Sequence, residues 1–383
     1  MKSKRKICFV ITSKIHYSRS KLVLRALRKR ADIDLQIVVA ASALLDMHGN
    51  VLETLANEGF YVNDRIIMTL EGSNTVAMSK TTGIGIIEFT TAFDNLRPDV
   101  VVARGDRYEV LSAAVAASFL NIPIAHIEGG DISGTIDESV RHAITKLSHI
   151  HFPTNEYSAE RIVRMGEDRR YVFNVGSCDV EFVAQNNFHV SKKLINYLGV
   201  GDVIDIDKPF LMVMQHPVTS EVGANRQNIE ETLHAIYALK MPTIWFWPNV
   251  DAGADEVSKG IRAFREEKDP SHMRFLKSLP AEHFIGLLKR AACLLGNSSA
   301  GIKECSYLGT PVVNIGTRQH GRLRAENVID ADYDAKDIAR AVKRQLRHGR
   351  YEPSKIYYQP GTSGKIAQTL AKAALYTQKC FVD

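Results

Sequence analysis

Carboxylates and basic residues stand directly after several apolar runs of this chain, an arrangement that suits general acid–base chemistry on a bound substrate. Arg104-Gly105-Asp106-Arg107 follows DVVVA, and Glu128-Gly129-Gly130-Asp131 follows IPIAHI. If those runs are neighbouring parallel strands, Asp106 and Glu128 sit at the carboxyl edge of the sheet, where open α/β folds bind ligands. Asp137 opens the next helical segment and adds a third carboxylate able to converge on the same cleft. More ordinary readings stay open. Asp137 could be a helix N-cap and Asp106 a turn residue, while Asp137 and Arg141, four apart on one helical face, could form a surface ion pair.

A second polar group points to phosphate. Asn297-Ser298-Ser299 lies between the run CLLG and a helical segment, so free backbone N–H groups and two hydroxyls could meet an anion there. Capping of that helix explains the serines equally well. Glu304, one to two turns on, is placed to accept from ribose hydroxyls, and Arg318, after VVNIG, to neutralise phosphate; either could instead be a surface residue. His216 follows FLMVM, and Asn249 and Asp251 follow TIWFWP, although a lone histidine is more often structural. His142, His149 and His151 have no metal-ligand spacing, so no catalytic metal is expected. GIGIIE at Gly83 falls inside a helical pattern and is not a dinucleotide fingerprint.

The elements that must position these groups read as α/β. Short β-branched runs (ICFVIT, LQIVVAA, DVVVA, IPIAHI, FLMVM, TIWFW, CLLG, TPVVNI) alternate with helix-period segments at 18–31, 76–96, 108–120 and 137–148, the pattern of βαβ units. With 383 residues there is enough chain for two such lobes. Periodicity weakens between 179 and 208, and the stretch 199–208 reads as a connection. This predicts a first lobe at 1–180, a second at 205–362, and a C-terminal helix within 363–383 packed back on the first.

Composition excludes several classes. Apolar residues at 45% and charged residues at 24% describe a globular protein. The net charge of +6 is modest, and the basic bias of Arg318, Arg322, Arg324, Arg340, Lys343, Arg344, Arg347 and Arg350 comes with no nucleic-acid-binding module; part of it lies on one expected helix, 334–349. No nucleic-acid or membrane partner is expected. Lys2, Lys4, Arg5 and Lys6 precede an apolar run too short for a signal peptide, and no stretch suits a membrane helix. Five scattered cysteines without a C-x-x-C pair fit a reducing, cytoplasmic setting.

In order along the chain, HIEGGDISGTIDESVRHAITKLSHIHF, HPVTSE, PNVDAG, GNSSAGIKE and GTRQHGR resemble the hydrolysing UDP-N-acetylglucosamine 2-epimerases, over about residues 7 to 375. The resemblance implies the glycosyltransferase B-type fold of two Rossmann-like lobes, with UDP held mainly by the second lobe and the sugar facing the first. It implies Asp106, Glu128 and Asp137 as acid/base residues, with Arg141 and His216 as electrostatic partners. Lys14, Ser18, Arg107, His216, Asn249, Ser298, Ser299, Glu304 and Arg318 become implied nucleotide contacts. A UDP-sugar partner, no cofactor and a homodimer or homotetramer follow from the same likeness. The implied reaction is UDP elimination from UDP-N-acetylglucosamine to a 2-acetamidoglucal, then addition of water to give N-acetylmannosamine.

Departures fall on the sugar side. After the first strand the family generally has Arg, a small residue and an acid; here Lys14, Ile15 and His16 stand, and lysine cannot reproduce a bidentate arginine contact. Ala43 occupies a place where family members often have histidine. These differences bring in a rival substrate, UDP-2,4-diacetamido-2,4,6-trideoxyglucose. A non-hydrolysing epimerase, a glycosyltransferase and a catalytically silent UDP-sugar sensor are weaker alternatives.

Overall fold

The computed structural model of the chain describes residues 4–45, 51–72, 74–185 and 188–383. Lys2, and positions 186 and 187 of the expected connection, lie outside them. Six parallel strands form the first sheet: β1 (Arg5–Ile11), β2 (Ile33–Ala40), β3 (Asp64–Ile66), β4 (Val100–Arg104), β5 (Ile124–Ile127) and β6 (Ile150–Phe152), in the order β3-β2-β1-β4-β5-β6. Most of their residues are buried because helices cover both faces; every residue of β1 from Ile7 to Ile11 is buried.

The second sheet contains β7 (Val200–Gly201), β8 (Leu211–Met214), β9 (Thr243–Phe246), β10 (Met273–Leu276), β11 (Cys293–Gly296), β12 (Val312–Ile315) and β13 (Val328–Ala331). Its order, β13-β12-β11-β8-β9-β10-β7, repeats the doubly wound topology of the first sheet and adds β7 antiparallel at one edge. This is the two-lobe, glycosyltransferase B-type α/β fold. Topology reverses between β1 and β4 in one lobe and between β8 and β11 in the other, so each lobe has a switch-point crevice.

Several boundaries move. The first helix runs Lys14–Arg28, four residues ahead of the periodic segment, because Ser13 caps it by accepting from the His16 N–H at 3.2 Å. The stretch 199–208 is more than a connection: Val200 and Gly201 pair with β10, and Ile195, Ile204 and Ile206 are buried in the second lobe's core. Isolated isoleucines between polar residues have no periodicity to read; what secures them is the Arg274 guanidinium, donating to the carbonyls of Ile195, Leu198, Gly201 and Asp202. The last helix is Thr362–Lys372, with Ile366, Ala367 and Leu370 in the first lobe's core beside Val23, Leu24 and Leu27. Arg5 holds its end by donating to the carbonyls of Leu370 and Ala373. Helix Cys178–Gln185 packs on elements of both lobes, Lys14–Arg28 and Glu304–Leu308. Among the described residues no helix is long and apolar enough to cross a membrane.

Candidate functional site

Asp106 stands just beyond β4 and Glu128 just beyond β5, which are hydrogen-bonded neighbours. Arg141, 1% exposed on helix Ile136–Leu147, donates to a carboxylate oxygen of Asp106 and, at 2.8 Å, to the Asp131 carbonyl. Burial works to raise the Asp106 carboxyl; the charges of Arg141 and Arg322 outweigh it and hold Asp106 well below the usual carboxylate range. The ion pair considered between Asp137 and Arg141 is thus displaced by one to Asp106, from the neighbouring strand end.

Glu128 has φ +73°, a left-handed conformation that a side-chained residue adopts only when its surroundings enforce it. Its N–H donates to the Phe152 carbonyl at 3.0 Å, and Gly129 follows because a Cβ there would meet the His126 ring at 2.8 Å. The Glu128 carboxylate is 3.3 Å from Arg104 and 3.1 Å from Lys303. Burial again pushes it up, and Arg104, Lys303 and Arg19 drive it well below its ordinary value.

Asp137 is not the N-cap. Thr135 caps the helix and accepts from the Asp137 N–H at 3.3 Å, which leaves the Asp137 carboxyl free of capping duty. Burial, then the nearby negative charges of Asp106 and Asp251, push its pKa up to about 6 against the opposing pull of Arg318 and Arg107. Three carboxylates therefore meet with different proton affinities: two held charged and one poised near neutrality.

The opposite wall comes from the second lobe. His216, after β8, is locked to Asn297 by reciprocal bonds of 2.7 and 2.9 Å, and its Nδ1 accepts from the Asn249 N–H at 3.2 Å. That bond leaves Nε2 as the protonated nitrogen. Burial, then the Arg318 charge, lower its pKa to about 3, which keeps His216 a neutral imidazole. Asn249 also donates to Asp251, and Asp251 accepts from Arg107 across the cleft at 2.9 Å.

Ser298 is occupied in part as a helix cap, accepting from the Ala300 N–H at 3.3 Å. Ser299 and Glu304 both accept from Arg19 of the first lobe, at 3.3 and 3.1 Å. Burial raises Glu304 despite that pairing, and its Oε2 is buried without a hydrogen-bond partner. Arg318 donates to the Asn297 carbonyl at 3.1 Å. Lys14 lies at the rim, 3.4 Å from Ser278 of the other lobe, and Ser18 is half-buried further along the same helix.

His16 and Ile15 face opposite ways: Ile15 is 50% exposed, while the His16 ring is buried, bonded through Nδ1 to Thr12 at 2.9 Å with Nε2 beside Gly105. Ala43 is 1% exposed inside the first lobe's core. The sequence reading named Arg104 at its strand end without giving it a role, and missed Arg19, Lys303 and Asp179. The first three adjoin assigned residues or strand ends, a signal that was there to use. Asp179, bonded at 2.5 Å to Arg104, is recognisable only from its partners. Among the described residues no cluster of three or more His, Cys, Asp or Glu is arranged to hold a metal.

Known proteins agree with this architecture. The model of the family described as UDP-N-acetylglucosamine 2-epimerase matches residues 25–371. A hydrolysing UDP-N,N'-diacetylbacillosamine 2-epimerase of Legionella pneumophila is 34% identical over 98% of this chain and 97% of its own. A UDP-N-acetylglucosamine 2-epimerase of Neisseria meningitidis is 29% identical over 91% and 89%. In fold, the Methanocaldococcus jannaschii UDP-GlcNAc 2-epimerase, solved with UDP-GlcNAc and UDP, superposes with a TM-score of 0.77 at 19% identity, over 95% of this chain and 99% of that one. Matched along nearly its whole length by sequence and by fold, the chain belongs to the UDP-N-acetylglucosamine 2-epimerase family.

Proposed function

We propose that this enzyme is a hydrolysing 2-epimerase that releases UDP from a UDP-2-acetamido sugar and inverts carbon 2. The observation that carries the reading is the split in proton affinity among the three carboxylates: Asp106 and Glu128 are held ionised, and Asp137 titrates near 6. Inversion at carbon 2 removes a proton from one face and returns one to the other, so it requires two groups of opposite function. In the elimination, an ionised carboxylate takes the proton from carbon 2, the C1–O bond breaks with its electron pair leaving on UDP, and a C1–C2 double bond forms. Water then adds across the double bond: Asp137, protonated, delivers its proton to carbon 2 from the opposite face, the water oxygen bonds to carbon 1, the proton that this water loses returns to Asp137, and the first carboxylate releases its proton to solvent.

The nucleotide lies on the second lobe in this reading. Ser299, Arg318 and the neutral Nε2–H of His216 supply donors to the diphosphate, and the unpartnered Oε2 of Glu304 suits a ribose hydroxyl. Ser299→Ala and Arg318→Ala should each weaken UDP binding about tenfold or more, the worth of a charge-assisted hydrogen bond. Calorimetry reads this directly; unchanged affinity in both variants would move the nucleotide elsewhere.

Of the two candidate sugars, greater similarity to the Legionella enzyme supports the 2,4-diacetamido-2,4,6-trideoxy sugar, while the Neisseria relative supports N-acetylglucosamine. An NMR time course with both UDP-sugars separates them and reports stereochemistry at carbon 2. UDP release with an inverted free sugar is expected, faster from the diacetamido substrate. Release with retained configuration, or UDP binding without turnover, would sink the proposal in favour of a transferase-like enzyme or a sensor.

A further inference from the structure

Glu128 is paired with one cation from each lobe. Arg104 ends β4 in its own lobe; Lys303 comes from the opposite one, between the short helices Ser299–Ile302 and Glu304–Leu308. The Lys303 ammonium donates to Glu128 Oε1 at 3.1 Å, and its side chain is 4% exposed. An ammonium this buried requires a compensating charge, and Glu128 is the one at bonding distance.

We propose that Lys303 is a cross-lobe positioning residue that holds the Glu128 carboxylate ionised and aimed for proton transfer only while the lobes are closed on the nucleotide. This rests on the reading of the ionised carboxylates as the proton acceptors, and takes Glu128 as the one that acts. Chain connectivity makes the link: Lys303 directly precedes Glu304 and lies four residues beyond Ser299, the residues proposed to hold UDP. Nucleotide that fastens Ser299 and Glu304 therefore also fixes where Lys303 is. When the lobes part, Lys303 leaves with the second lobe, while Arg104 stays under Glu128.

The remaining groups around Glu128 cannot replace it. Arg104 is shared with Asp179 at 2.5 Å, and Arg19 with Asp179 at 3.6 Å and Glu304 at 3.1 Å. Asp106 faces Glu128 with a like charge, and His16, Cys178 and Tyr357 face it uncharged at neutral pH. Without Lys303, burial and Asp106 act on Glu128 against two arginines already engaged elsewhere. Its proton affinity then rises, and the ionised fraction falls at low pH.

The test is the pH profile of kcat, which reports the closed enzyme–substrate complex, with whichever UDP-sugar the enzyme turns over, together with calorimetry of UDP. In Lys303→Met and Lys303→Gln, the acid limb should move upward by about 1–3 pH units, the effect of removing an adjacent opposite charge. UDP affinity should fall only modestly, since a contact made only in the closed state also favours closure on the nucleotide, and Lys303→Arg should restore the limb. A wild-type profile in the Met and Gln variants overturns the proposal, as does a loss of UDP affinity with the profile unmoved. Glu128→Gln separates this from the reading beneath it. If that variant turns over normally, Glu128 is not the acceptor. If it is inactive while Lys303→Gln behaves as wild type, only the role of Lys303 falls.

Discussion

Asp137→Asn is expected to reduce kcat by about 10²–10⁴-fold, the usual contribution of a general acid or base. Asparagine keeps the size and the polar contacts and removes only the titratable proton, so UDP affinity should change far less. The pH profile gives a sharper sign. If protonated Asp137 is the donor, activity declines as pH rises through its raised pKa of about 6, and that limb vanishes in the variant. Glu128→Gln should show a loss of the same size without that limb moving, because Arg104 holds its carboxyl far below neutrality; Asp106→Asn should show the same loss with the limb moved to lower pH, because the Asp106 charge is part of what raises Asp137. Near-normal rates in all three folded variants would dissolve the proposed cluster. An Asp137→Asn enzyme that keeps its limb near pH 6 would assign that titration to another group.

Arg104→Met should produce the largest loss of stability, about 3–5 kcal/mol, because it strands buried carboxylates. Arg104 and Asp179 each have side chains 1% exposed and lie 2.5 Å apart, with Glu128 at 3.3 Å from the same guanidinium and Ser20 bonded to its other arm at 3.2 Å. Methionine fills much of the volume but leaves Asp179 with only Arg19, at 3.6 Å. Adding Asp179→Leu should recover a large part of the loss, since an apolar replacement of both partners removes the uncompensated charge. Urea unfolding of the single and double variants measures both effects. A single variant as stable as wild type, or a double variant less stable than the single, would show that the pair does not act as described.

Legibility differed among the site residues for definite reasons. Asp106 and Glu128 were readable because a strand announces itself by its apolar run, and the residue after it must stand at the sheet's edge. Asp137 was placed on its helix with capping left open beside an acid/base role, since Thr135, two residues earlier, competes for the capping duty and only the hydrogen bond decides between them. For Arg141, helical spacing, a local rule, offered Asp137 as one possible surface partner; a partner from a neighbouring strand end is invisible to any local rule. His216 was placed after its strand, and the burial and arginine field that keep it neutral belong to the assembled cleft.

By itself, the sequence determined the two sheets and the edge positions of the carboxylates, because strand runs, crossover helices and turns are encoded by neighbours a few residues apart. Its motif series was also enough to point to the family. Tertiary structure alone decided which cations meet which carboxylates: Lys303 against Glu128, Arg19 against Glu304, Arg107 against Asp251, each pair drawn from opposite lobes. Those pairings set the proton affinities on which the chemistry depends. Coulomb energy depends on separation in space and on burial, and neither can be read from separation along the chain.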